Sequence, residues 1–213
     1  MNKYIVEFIG TFFLVLTIGC AAVLGHAGEG GMFAPLAIGS ALMVMIFAGG
    51  HISGAHYNPA VTLAVYLRGK CPVADVGPYM LAQVAGAVLA AGIVLFLRGT
   101  GTPPPGPLKL IVAKALLVEF LYTFALATVV LNVATAKGTS GNSFYGLAIG
   151  FTVLAGAFAV GPISGGVFNP AVALAIVIMG VTSWTRIWIY LVANFAGGAL
   201  AAVVFKMLNP SDK

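Results

Sequence analysis

Twice in this chain an asparagine stands directly before a Pro-Ala pair and an apolar run: Asn58-Pro59-Ala60 and Asn169-Pro170-Ala171. Asn is a favoured N-cap, and Pro suits the first helical turn because its missing N–H would go unpaired there anyway. Each box therefore announces a helix start. An Asn whose side-chain oxygen is held by helix N–H groups still has NH₂ donors to spare. Two such starts brought face to face would meet with roughly half a positive charge each. Water or a hydroxyl compound can only accept at such a point, while protons and cations are repelled. One such tripeptide is a trivial match. Two, each closing a Gly-rich stretch (GGHISGAHYNPA, 49–60, and VGPISGGVFNPA, 160–171), make a specific signal.

Other residues could carry chemistry. Glu7 and Glu119 stand alone in apolar runs, and a carboxylate inside a membrane is a functional candidate by default. The alternatives are a proton relay or a structural acceptor for loop N–H groups; with one in each half and no basic neighbour, the structural role is preferred. His51 and His56 lie five apart in a Gly-rich loop, which suits loop packing or a gate better than a metal site. Ser53 and Ser164 are the residue type for nucleophiles with a His base, but Ser164 has no His beside it, so a backbone-shaping role is expected. His26 is expected in a loop, Gln83 and Asn132 as interhelical hydrogen-bonders, and Trp184 and Trp188 as interface anchors. No cofactor, metal or catalytic residue is expected. Cys20 and Cys71 form neither a disulfide framework nor a CxxC pair.

The elements that must position these residues are membrane helices. Charged residues make up 7% of 213 residues and hydrophobic ones 61%; a soluble domain carries about 25% charge. The mean hydropathy is +1.07. The net charge of +5 comes from scattered Lys and Arg, with no basic run, so nucleic acid is not an expected partner. Six runs reach the roughly 20 residues a span needs: 4–25, 34–50, 78–98, 111–133, 144–161 and 184–207. The first is too long for the core of a signal peptide and contains Glu7. Two shorter runs, 59–67 and 170–180, follow the Gly-rich stretches as half-spans. Broken backbone at membrane depth must be buried in protein or line a wet cavity.

The two halves are copies. Leu36-Ala37-Ile38-Gly39 returns as Leu147-Ala148-Ile149-Gly150, and Asn58 as Asn169, both at an offset of 111; Glu7 returns as Glu119 at 112. Three spans and one half-span per half force opposite orientations, an inverted repeat. The expected organisation is one transmembrane channel domain over 1–213, with repeats 1–98 and 108–213 joined by a linker, 99–107. Small residues spaced by four, Ala82/Gly86/Ala90 and Ala193/Gly197/Ala201, suit close helix packing. Basic residues give a slender majority for an inside N-terminus.

Over essentially the whole chain the sequence resembles the aquaporin (major intrinsic protein) family, on GHISGAHYNPAVT (50–62), SGGVFNPAVA (164–173), Glu7, Glu119 and AGGALAA (196–202). The resemblance implies an all-α membrane protein of six tilted helices and two re-entrant half-helices around one pore, assembled as a homotetramer. It also implies an outer selectivity filter. Counted from the boxes, its four positions are Ile38, Ala157, Gly166 and Val172, where water-selective members commonly carry an aromatic, a His and an Arg. Plant vacuolar-type members resemble this chain in having Val at the Arg position. Ala173 stands where glycerol facilitators have Asp, Tyr190 looks like a water channel's residue, and Leu191 replaces a common Trp.

The reading is a passive channel for water and small neutral solutes such as ammonia, urea, glycerol or hydrogen peroxide, excluding protons and ions at the boxes. A strictly water-selective pore is the alternative. An inverted-repeat transporter would need titratable groups at the midplane, and the broken segments offer no carboxylate. An enzyme is not expected. A bacterial inner membrane is the expected location, with a vacuolar or other organelle membrane as the alternative.

Overall fold

The computed structural model describes residues 1–25, 29–100 and 108–212. His26, most of the expected linker and Lys213 lie outside them. Eight helices carry the fold: α1 (Asn2–Ile18), α2 (Ala34–Ser53), α3 (Pro59–Arg68), α4 (Val73–Arg98), α5 (Val112–Val130), α6 (Tyr145–Ser164), α7 (Pro170–Ile178) and α8 (Ile187–Leu208). Short π-helical turns prolong α1 over Gly19–Leu24 and α5 over Leu131–Thr135, at corresponding points of the two halves. Six helical segments are long and apolar enough to cross a membrane: Asn2–Leu24, Gly31–Ser53, Val73–Arg98, Val112–Thr135, Tyr145–Ser164 and Trp184–Leu208. The two half-spans are α3, of 10 residues, and α7, of 9.

Packing follows the repeat. α1 lies on α4 as α5 lies on α8, and α1 meets α2 as α5 meets α6. The half-helices cross over: α3 packs on α8 and α7 on α4, so each half is locked into the other. α2 and α6 meet at the repeated Leu-Ala-Ile-Gly motif. A Cβ on Gly39 would lie 2.8 Å from the Gly150 carbonyl oxygen, and one on Gly150 2.5 Å from that of Gly39. Only hydrogen atoms fit at that crossing. In the same way a Cβ on Gly197 would lie 2.6 Å from the Phe120 carbonyl oxygen, which lets α8 reach the backbone of α5. With lipid outside, such close van der Waals contact is what holds helices together.

The face bearing the termini is tied by polar contacts. Lys3 and Tyr4 reach Asp75 at 2.5 and 2.7 Å. At the end of α3, Arg68 donates to Asp212 at 2.6 Å and lies over the Phe205 ring, and the Lys137 N–H donates to the same carboxylate at 2.7 Å. One expectation needs correction. Asn132 donates to the Thr128 carbonyl one turn earlier in its own helix, at 2.8 Å, and among the described residues its side chain makes no interhelical bond. Gln83 does cross between helices, to Glu7 and Thr62.

Candidate functional site

Each helix that enters a Gly-rich stretch ends on a left-handed glycine, Gly54 (φ 83°) after α2 and Gly165 (φ 96°) after α6. The next residues keep positive φ at matching places: Ala55 and Gly166, then Tyr57 (φ 49°) and Phe168 (φ 50°). A bulky residue with positive φ is an outlier that its surroundings must hold in place. The buried carboxylates do so. Glu7 accepts from the Tyr57 N–H at 2.6 Å, the His56 N–H at 2.9 Å, the Ser53 hydroxyl at 2.7 Å and the Gln83 amide at 2.8 Å. Glu119 repeats the pattern: Phe168 N–H at 2.8 Å, Val167 N–H at 2.9 Å, Ser164 hydroxyl at 2.6 Å and Asn194 amide at 3.0 Å. The Ser53 and Ser164 carbonyls accept from the Tyr79 and Tyr190 hydroxyls at 2.8 and 2.7 Å. Both carboxylates are fully buried and meet only donors.

The loops deliver the two asparagines to one point. Asn58 and Asn169 are extended N-caps of α3 and α7, with Pro59 and Pro170 opening the helices. The Asn58 side-chain oxygen accepts from the N–H groups of Ala60 at 2.9 Å and Val61 at 3.4 Å; that of Asn169 accepts from Ala171 at 2.9 Å. Their amide groups then cross between the halves. Asn58 donates to the Phe168 carbonyl at 2.8 Å, and Asn169 to the Tyr57 carbonyl at 2.9 Å. This exchange uses one N–H of each amide and leaves one over. Both asparagines line a central cavity of about 80 Å³.

Ile38, Ala157, Gly166 and Val172 line that same cavity. On the side away from the termini lies an outer cavity of about 570 Å³ that shares Ile38 and Ala157 with it. At the other end His56 is shared with a cavity of about 450 Å³ toward the termini. His56 is buried in the loop, with Nδ1 3.2 Å from the Thr62 hydroxyl, whereas His51, expected in the same loop, belongs to the last turn of α2, because the helix runs on through Gly49 and Gly50; it is exposed and lines a further cavity on the terminal side. The two histidines are thus separated. Neither Cys20 nor Cys71 lines the central or outer cavity. Trp184 and Trp188 are exposed.

The cavity lining is itself duplicated. Ile38 faces its copy Ile149, Ala55 stands for Gly166, Val61 for Val172, and Leu14 for Leu126. Shifting the expected filter positions Ile38, Gly166 and Val172 by the repeat offset of 111 finds Ile149, Ala55 and Val61 from sequence alone, whereas the copy of Ala157, Ile46, does not line the cavity. The helix pairing, the crossed asparagines and the buried carboxylates together have the arrangement of a known fold. The model of the major intrinsic protein family matches residues 1–205. The chain belongs to the major intrinsic protein family.

Relatives agree with that membership. The chain is 37% identical to Aquaporin NIP1-1 of Zea mays over 100% of its own length and 77% of that protein. It is 35% identical to Nodulin-26 of Glycine max, covering 100% of this chain and 80% of that one. A solved aquaglyceroporin from Plasmodium falciparum superposes with a TM-score of 0.82 at 24% identity, over 98% of this chain and 96% of that one, which shows the shared fold. This major intrinsic protein is a multi-pass integral membrane channel for water and small solutes, and not an enzyme.

Proposed function

We propose that selection among solutes takes place in the central cavity, at Ile38, Ala157, Gly166 and Val172, and that the pore passes small neutral solutes along with water. The observation that carries this reading is that all four line one cavity with both asparagines, and that none brings a polar side chain. A passing solute finds hydrogen-bond donors at Asn58 and Asn169 and only apolar side chains at the filter, so it sheds part of its hydration there. That favours ammonia, urea, glycerol or hydrogen peroxide over ions. Two helix N-termini at the asparagines supply the positive field against cations. Glu7 and Glu119 hold the loops in place, and the whole chain acts as one channel domain in a homotetramer.

A strictly water-selective pore is the second reading. It is favoured by the cavity volume of about 80 Å³ against about 570 and 450 Å³ on either side. At roughly 30 Å³ per water, that space holds a short file of molecules. The expectation of a bacterial inner membrane draws no support from relatives that are plant proteins.

Stopped-flow light scattering on proteoliposomes tests the proposal, with gradients of an impermeant osmolyte, then glycerol, urea and ammonium. Val172→Arg puts a donor fork and a charge into the cavity. The expected result is that wild type passes the larger solutes and the variant loses them. Solute flux at the lipid background beside fast water flux would establish the water-selective reading instead.

A further inference from the structure

The lining of the pore is nearly symmetric about the asparagine pair, but its charge is not. Among the described residues, the central cavity and the outer cavity beyond Ile38 carry no ionised side chain. On the terminal side, the cavity that begins at His56 is bordered by Lys70. Lys70 also borders the next cavity, of about 560 Å³, together with His51 and Lys137. Neither of these cavities is lined by a carboxylate.

The chain has five acidic residues, and their places are accounted for. Glu7 and Glu119 are taken up by loop donors, Asp75 by Lys3, and Asp212 by Arg68. Glu29 precedes α2 at the end opposite Ser53 and the terminal-side cavities. No ion pair neutralises Lys70 among the described residues. Among the described residues, full positive charge therefore borders the permeation route at the terminal-side mouth.

We propose that Lys70, backed by Lys137, is a specificity-determining residue that keeps cations out of the pore at its terminal-side mouth, a task for which the apolar filter has no charge. This deepens the proposed function and rests on the central cavity being the permeation route. The mechanism is electrostatic focusing: a vestibule with low-dielectric walls lowers the local concentration of like-charged ions. At the ~5–8 Å such a cavity allows, in a water-filled medium, one unit charge changes a monovalent ion's local concentration about three-fold. The effect is screened by salt, because the Debye length falls from about 10 Å at 0.1 M to about 3 Å at 1 M.

The test uses the full chain in proteoliposomes, with potassium flux and water permeability measured on the same vesicles. The readout is their ratio, which is independent of how much channel folds. Lys70→Arg should keep the wild-type ratio, Lys70→Gln should raise it about three-fold, and Lys70→Glu, two charges away, about nine-fold. In wild type the ratio should rise between 0.1 and 1 M ionic strength. A Lys70→Glu ratio equal to wild type would overturn the proposal, as would a rise for Lys70→Arg equal to that for Lys70→Gln. Val172→Arg run beside them separates the two readings. If it alters glycerol flux while the Lys70 series is flat, the filter stands and this proposal falls. If the Lys70 series responds and Val172→Arg changes nothing, the vestibule barrier stands and the filter assignment falls.

Discussion

Replacing Glu7 by Gln removes a charge and one acceptor while keeping size, and the geometry sets its cost. One carboxylate oxygen takes the Ser53 hydroxyl and the His56 N–H; the other takes the Tyr57 N–H and the Gln83 amide. A Gln carries a single acceptor oxygen, so its NH₂ must face one of these donor pairs. Ser53 can rotate its hydroxyl, and Gln83 can turn its amide, whose oxygen is buried without a partner. The backbone N–H of His56 or Tyr57 cannot turn. One buried N–H is left unpaired, at about 1–3 kcal/mol. Removing the acceptors altogether in Glu7→Ala strands both N–H groups and the Gln83 amide, about three times as much. At ~2–4 °C per kcal/mol, Glu7→Gln should lower the melting temperature in detergent by several degrees. Glu119→Gln should do the same, because its four donors match. Circular dichroism melts of the two variants, with water permeability per folded channel, check this. A wild-type melting temperature in either variant would refute the acceptor argument. Loss of proton flux without loss of stability would point to a proton relay instead.

Gly150→Ala should be destabilising by about 1–3 kcal/mol, since the new Cβ would lie 2.5 Å from the Gly39 carbonyl oxygen; a melt like that of wild type would show that α2 and α6 can part freely. Mercurials should leave water flux intact, because Cys20 and Cys71 lie off the central and outer cavities; block that survives Cys20→Ser plus Cys71→Ser would mean the metal acts elsewhere. The Lys137 backbone N–H, and after it the Arg68 guanidinium, hold the Asp212 carboxyl below its ordinary value of 3.8. A lowered folded value means the clasp contributes fully above the ordinary value and is lost as pH falls through the lowered one. Limited proteolysis of the C-terminal tail should therefore be unchanged from pH 8 to 5 and speed up only below about 4; Asp212→Asn should make it fast at every pH, and a variant as resistant as wild type would count against the clasp.

What could be read from the sequence was whatever depends on local periodicity or on the repeat. Six spans follow from apolar length, and the broken segments from Gly and Pro. The need of Glu7 for donors was legible in its type, yet its partners lie 46 to 76 residues away, and no spacing rule reaches them. Asn132 misled for a physical reason: near a helix end, a short amide can satisfy itself on the carbonyl four residues back, and residue type does not distinguish that from a bond to a neighbour. The Arg68–Asp212 pair, 144 residues apart, gave no sign at all. The proposed filter residues could be named only by counting along a family pattern, because Ile and Val are equally at home against lipid.

Duplication explains which of these features can vary. Residues that hold the loops occur in both halves: Glu7 with Glu119, Ser53 with Ser164, Tyr79 with Tyr190. A change in one copy breaks bonds that its twin still makes, so the halves no longer match across the crossed asparagines. Residues that only line the cavity are under no such constraint. His56 stands where the second half has Val167, and both reach the pore while their backbone N–H groups serve the carboxylates identically. A side chain can thus be exchanged at the pore without disturbing the loop that carries it. Exchanging Val167→His together with Ala173→Thr, which supplies the hydroxyl that His56 has in Thr62, should put a second imidazole at the outer end of the cavity at little cost in stability. A melt as low as that of Glu119→Gln would show that lining and frame are not separable.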